Sequence, residues 1–259
     1  MFERALKIDP DFAAAWAGLA NVHVDLFRWG RQARDLEEAQ RASECALKLN
    51  PNSAEAHVSV GQALAIQRHF SEAAIAFDRA IKEDPTLFEA YYLYGRLLFE
   101  SGEVEKAVKM FEKAQAARPD DFESRVLWGQ ALTELGRRDE ARRANEGAVE
   151  SIEKHLELNP DEARAYSLGS SVLTRLGQTD RSKQWTQQAM TLAPNDPLVL
   201  YNAACNFALL GETNNAIDGL ERAIEAGVAV GDWIKHDPDF ESLRSHPRFQ
   251  AIVMRITPL

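Results

Sequence analysis

Six prolines punctuate this chain at near-constant intervals, and that periodicity constrains the fold more than any other feature. Pro10, Pro51, Pro85, Pro119, Pro160 and Pro194 are separated by 41, 34, 34, 41 and 34 residues, so a 34-residue unit recurs and twice carries seven extra residues. Four of them follow an acidic or amide residue, as Asp9-Pro10, Asn50-Pro51, Asp84-Pro85 and Asn159-Pro160. Proline cannot continue a helix and biases the preceding residue away from αR, so each one marks a boundary between helices. Between Pro85 and Pro119, Tyr91, Tyr94, Gly95 and Leu98 share one helical face, Gly102 breaks the run, and Ala107, Phe111 and Ala114 form a second face. Each unit therefore predicts helix, turn, helix. Such a unit cannot bury its apolar face alone and must stack on its neighbours.

The same slots recur along the chain. Between Pro51 and Pro85 they hold His57, Val60, Gly61, Leu64, Ala73, Phe77 and Ala80, and before Pro51 they hold Trp16, Leu19, Ala20, His23, Ala39 and Ala46. After Pro119 come Trp128, Gly129, Leu132 and Ala141, with Arg125 where a large apolar residue is expected. After Pro160 come Tyr166, Ser170, Leu173 and Ala189, with Gly169 in place of a bulky packing residue; after Pro194 come Leu200, Ala203, Ala204, Phe207, Ala216, Leu220 and Ala223. This pattern resembles the tetratricopeptide repeat signature, W-x2-L-G-x2-Y followed by A-x3-F and P. The resemblance implies an all-α fold, a right-handed α-α superhelix with C-terminal capping helices. Its six units fall at 13–53, 54–87, 88–121, 122–162, 163–196 and 197–228. Residues 1–12 read as the second helix of a truncated preceding repeat, as if the chain began inside a longer protein, and 229–259 read as the cap. Small residues at Ala20, Gly61, Gly95, Gly129, Ser170 and Ala204 mark the slot where paired helices approach closely.

The first seven-residue insertion lies around Leu26 to Leu36 and predicts a longer turn between helices, with Phe27 and Trp29 either tucked under neighbours or forming a contact patch. The second, in the unit 122–162, predicts a longer second helix, because seven residues are nearly two turns and keep Val149, Ile152 and Leu156 on one face. After Gly227 the sequence changes to Trp233, then Asp237-Pro238-Asp239-Phe240 with Leu243, then His246-Pro247-Arg248-Phe249. Two short proline-initiated helices are expected there, with Trp233, Phe240, Leu243 and Phe249 covering the last apolar face. This segment resembles the closing module of tetratricopeptide regions in bacterial signalling proteins, such as serine/threonine kinases, adenylate-cyclase-type regulators and winged-helix regulators.

Composition removes several function classes. The formal charge of -10, from 40 acidic and 30 basic residues interspersed along the chain, disfavours nucleic acid. Cys45 and Cys205 have neither CxxC nor metal-ligand spacing. No apolar run of about 18 residues and no secretory h-region occurs, so no membrane insertion is expected; the chain is placed in the cytoplasm, or in the periplasm if its parent carries an upstream span. GxGxxG, Walker A, GxSxG and HExxH are absent, so no enzyme activity and no cofactor are expected. His236, Asp237, Asp239 and His246 are metal-capable, but Asp239 and Ser245 read as ordinary helix-start residues and no metal is expected.

What remains is recognition of a protein or peptide. The resemblance implies that the first helix of each repeat lines a concave groove, and its contact positions give Asn21, Gln62, Tyr92, Arg96, Gln130 and Tyr201, with Asn202 adjacent. The carboxylate clamp of the chaperone-binding subfamily is echoed only by Asn21 and Arg96, since Ala17 and Val58 stand where that clamp needs polar groups. A groove of amides, tyrosine and arginine suits an extended peptide, whose backbone needs donors and acceptors and whose side chains need a stacking surface. The alternative function is a structural module for self-assembly as a homo-oligomer.

Overall fold

A computed structural model describes residues 1–30, 32–228, 234–235 and 237–256, with the side chains of residues 28–30 outside that description. The contact-patch reading of Trp29, the capping role of Trp233 and the metal-capable His236 fall outside the described residues. The chain divides into two compact units. Unit 1, Met1–Asp120, holds α1 (Phe2–Ile8) and the pairs α2 (Ala13–Gly30) with α3 (Ala33–Leu49), α4 (Ala54–Ile66) with α5 (Phe70–Glu83), and α6 (Phe88–Glu100) with α7 (Val104–Ala117). Unit 2, Asp121–Leu259, holds α8 (Phe122–Glu134) with α9 (Arg138–Leu158), α10 (Ala163–Arg175) with α11 (Thr179–Leu192), and α12 (Pro197–Leu209) with α13 (Thr213–Glu225). It ends in a 3₁₀ turn, Pro238–Leu243, and α14 (Pro247–Ile256). No strand occurs among the described residues.

Local chemistry sets these boundaries. Ser53, Asp121 and Asp196 cap α4, α8 and α12 by accepting backbone N–H bonds of the first turn, which otherwise lack partners. After α6 the chain turns through a left-handed residue: Gly102 has φ +82°, and the turn is closed by Glu103 N–H donating to the Leu98 carbonyl at 2.8 Å. Arg68 adopts the same conformation at φ 63° between α4 and α5. Between pairs, the prolines recruit the aromatic slot that follows them. Trp16 Nε1 donates to the Pro10 carbonyl at 2.8 Å, Tyr91 Oη donates to that of Pro85 at 2.9 Å, and His57 Nε2 lies 2.9 Å from that of Pro51. An aromatic body buries against the pair while its polar tip satisfies the turn.

The small slot behaves as its sequence predicts. A Cβ on Gly61 would stand 2.9 Å from the Phe77 ring, and one on Gly95 would stand 2.7 Å from that of Phe111. Gly169 is filled from elsewhere: Trp185 of α11 lies against it, edge-on to Tyr166 at 5.6 Å between centroids. In the pair α8/α9 the phenylalanine slot holds Asn145, which is buried against Gly129. Between α10, α11 and α12 the packing is polar. Asn206 is fully buried, donating to Ser182 Oγ (2.8 Å) and Thr186 Oγ1 (2.7 Å) and accepting from Thr174 Oγ1 (2.6 Å).

The two insertions have different outcomes. α9 is 21 residues long with Val149, Ile152 and Leu156 buried, as the spacing predicts. The first insertion does not lengthen the turn. Instead α2 grows to 18 residues and α3 to 17, against 13 and 14 in the pair that follows. Helical backbone satisfies its own hydrogen bonds where a longer loop would leave them to solvent. Asp35, in the lengthened start of α3, lies with its Oδ1 3.0 Å from His23 Nδ1 of α2 across the pair.

Candidate functional site

In unit 1 the ninth residues of α2, α4 and α6 are Asn21, Gln62 and Arg96. Consecutive first helices bring these positions into a row. Gln62 Nε2 donates to Asn21 Oδ1 at 2.9 Å, and Gln62 and Arg96 both line a shallow depression together with Leu93, Leu97 and Glu100. The Arg96 guanidinium lies 5.8 Å from the ring centroid of Tyr92, one turn earlier on α6, and 3.7 Å from Glu100. Tyr92 is half-buried and stacks on Phe88 with centroids 5.5 Å apart and planes within 11°. Arg118 in turn lies over Phe88 at 4.1 Å and donates to Glu89 at 2.9 Å.

Unit 1 thus gathers Asn21, Gln62, Tyr92 and Arg96 on the face made by its first helices. Chemically, that row offers amide donors and acceptors, an aromatic surface and a cation. The Arg96–Glu100 pair is partly exposed and loose, so it contributes about 1 kcal/mol or less and leaves the guanidinium able to exchange partners.

Unit 2 differs. Gln130 on α8 and Asn202 on α12 are half-buried at first-helix positions. Tyr201 is only 5% exposed: its hydroxyl donates to Asp237 Oδ2 at 2.6 Å, and its ring meets Phe240 edge-on at 5.6 Å. The expectation that Tyr201 contacts a partner is therefore corrected, because the chain's own C-terminal turn returns over α12 and occupies that position.

Sequence reasoning missed the residues that fasten this turn. Asp237 caps it by accepting from the Asp239 backbone N–H at 3.0 Å, Cys205 Sγ lies 3.8 Å from Asp237 Oδ2, and buried Asp239 forms an ion pair with Arg175 of α10. Burial first, then the neighbouring carboxylates, push the Cys205 thiol well above its ordinary range; burial first, then Cys205 and Asp237, do the same to the Tyr201 phenol. Cys205, Asp237 and Asp239 place potential metal-ligand atoms within 4.8 Å of one another. The carboxylates are already engaged by Tyr201, the Asp239 N–H and Arg175, so the cluster reads as the fastening of a cap. The signal in the sequence was two acidic residues flanking Pro238 just before a buried Phe240.

Residues 30–87 match the family model described as tetratricopeptide repeat, on helices whose turns and small slots have the geometry that signature requires. The helix pairs share the tetratricopeptide solenoid fold. Residues 66–148 also match the model for anaphase-promoting complex, cyclosome, subunit 3. Among solved structures, human IFIT1, solved as a dimer with PPP-AAAA, superposes with a TM-score of 0.66 at 16% identity over 98% of this chain and 58% of that one. A chain of the APC/C hetero-tetramer Cut9-Hcn1 gives 0.63 at 14% identity over 98% of this chain and 44% of that one. A thermophilic tetratricopeptide protein of Thermus thermophilus, TTC0263, gives 0.55 at 21% identity over 78% of this chain and all of that one. This chain therefore spans about half the length of the first two. These similarities establish an all-helical tetratricopeptide solenoid fold. No curated protein sequence matches the chain. Tetratricopeptide proteins generally mediate protein–protein interactions and serve as non-enzymatic scaffolds. No helix among the described residues is long and apolar enough to cross a membrane.

Proposed function

We propose that this protein is a non-catalytic scaffold that holds an extended segment of a partner protein against the first helices of unit 1, within a larger bacterial signalling protein. The observation that carries the reading is the row formed by Asn21, Gln62 and Arg96 with Tyr92 alongside. An extended peptide has backbone groups every residue that must be satisfied once desolvated, and paired amides satisfy either kind. Tyr92 and Arg96 supply stacking and charge for its side chains. Gln130 and Asn202 carry the same amide chemistry in unit 2. The net charge of -10 argues against a nucleic-acid ligand on this face. The placement in a signalling protein rests on the C-terminal Asp-Pro-Asp-Phe and His-Pro-Arg-Phe motifs.

A photo-crosslinking residue placed at position 92, with peptides selected from a random display library as probe, tests the assignment. Covalent capture at position 92 but not from a control at Ile75, which is exposed on α5, is the expected result. Equal capture from both positions, or capture from Ile75 alone, contradicts it.

A further inference from the structure

The charges of unit 1 are divided unevenly between its two sets of helices. The second helices α3, α5 and α7 carry nine acidic and eight basic residues, close to balance. The first helices α2, α4 and α6 carry four acidic residues, Asp25, Glu55, Glu89 and Glu100, against two basic ones, Arg96 and Arg28, of which the Arg28 side chain lies outside the description. Position turns this imbalance into a stripe. Glu55 and Glu89 stand seven residues before Gln62 and Arg96, while Asp25 and Glu100 stand four residues after Asn21 and Arg96. At about 100° per residue, both offsets return to within about 40° of the row residue. Every carboxylate of these three helices therefore shares the face of the Asn21–Gln62–Arg96 row, and none of the four is buried.

The pairings already present do not cancel this charge. Arg118 donates to Glu89 at 2.9 Å and Arg96 lies 3.7 Å from Glu100, both as partly exposed pairs that exchange at little cost. Glu55 accepts from the neutral Ser53 hydroxyl at 2.9 Å, which leaves its charge in place. Unit 2 lacks the feature: α8, α10 and α12 carry two acidic and three basic residues, and Arg164 holds Glu123 through two bonds of 2.7 and 2.9 Å. Charge complementarity then names the occupant. Resting on the groove reading above, we infer that the segment held by unit 1 is basic, with lysine or arginine side chains meeting Glu55 and Glu89 on one side of the row and Asp25 and Glu100 on the other. Consecutive first helices pack directly, Ser59 Oγ of α4 donating to the Ala17 carbonyl of α2 at 3.1 Å. Packed helices lie about 8–10 Å apart and an extended chain advances about 3.3 Å per residue, so cations about three residues apart reach successive first helices.

Three peptide pools test this, each with lysine, glutamate or serine fixed at every third position among random residues, captured by the photo-crosslinking residue at position 92 of the full chain. The lysine pool should be captured at least about tenfold above the glutamate pool, and raising salt from about 50 to about 500 mM should erode the difference. Glu55→Gln with Glu100→Gln should lower capture of the lysine pool about fivefold. Glu105→Gln with Glu112→Gln removes the same charge from exposed positions of α7 and should leave that capture unchanged. Equal capture of the lysine and glutamate pools at position 92 overturns this inference and leaves the groove reading standing. So does an α7 variant that loses as much as the Glu55 and Glu100 variant, because net charge and not the stripe then attracts the peptide. Capture of no pool at position 92 overturns both.

Discussion

Gly95 and Asn145 stand on opposite sides of the same helix-pair contact, the one facing Phe111 and the other facing Gly129. Gly95 lets the Phe111 ring, which is fully buried, come within 2.7 Å of where a Cβ would stand. Gly95→Leu should therefore destabilise the chain by about 1 to 3 kcal/mol through overpacking. An unchanged denaturation midpoint would show that the register of the pair is wrong. Asn145 stands in the slot of Phe77 and Phe111, opposite a glycine as they are, yet its Oδ1 is buried without a hydrogen-bond partner. Asn145→Phe restores an aromatic ring and removes an unsatisfied acceptor, so it should raise stability by about 1 kcal/mol or more in urea denaturation. A loss instead would mean that α8 and α9 do not leave the space that the other pairs do. Arg125 shows the converse adaptation. It stands where the repeat pattern calls for a large apolar residue, and its guanidinium donates to the Gly147 carbonyl at 3.0 Å and to Ser151 Oγ at 3.1 Å, tying α8 to the lengthened α9.

Among the elements, the 3₁₀ turn Pro238–Leu243 has the most distinctive thermodynamic signature. Its docking on α12 buries Tyr201 and Cys205 in their neutral forms, and both folded-state pKa values lie above the ordinary 10.0 and 9.0. A raised folded pKa means that the native state holds its proton where the unfolded chain has lost it. That stabilisation is complete below about pH 9 and is lost as pH rises further. Stability measured by urea denaturation should hold between pH 7 and 9 and fall from there to pH 11. Cys205→Ala should delay the onset toward the ordinary tyrosine range. A flat profile to pH 11 would show that neither group is sequestered by the turn. The lengthened elements follow a simpler rule. Seven residues added as nearly two turns preserve a buried face in α9, and in the lengthened α3 Asp35 reaches His23 of α2.

For the whole molecule, proline spacing made the helix pairs readable because proline acts locally, through its own ring and missing N–H. The glycine turns and the small slot were legible for the same reason, since Gly102 and Gly95 answer to backbone conformation and close approach. The fate of Leu26 to Leu36 was not legible, because whether added residues join helices or loops depends on contacts made across the pair, such as that of Asp35 with His23. Tyr201 was misjudged for a related reason: its helical position is right for a groove, and only the fold of Asp237–Leu243 back onto α12 removes it from solvent. The proposed site, Asn21, Gln62, Tyr92 and Arg96, was read from helical position, while its coherence rests on contacts between helices that position alone does not give. The central claim is that this row captures an extended peptide, and isothermal titration with a display-selected peptide tests it most directly. Tyr92→Ala with Arg96→Ala should weaken binding by at least about tenfold, the loss expected from removing interface aromatic and arginine side chains, while far-UV circular dichroism stays at the wild-type level. Wild-type affinity in that double variant would contradict the account.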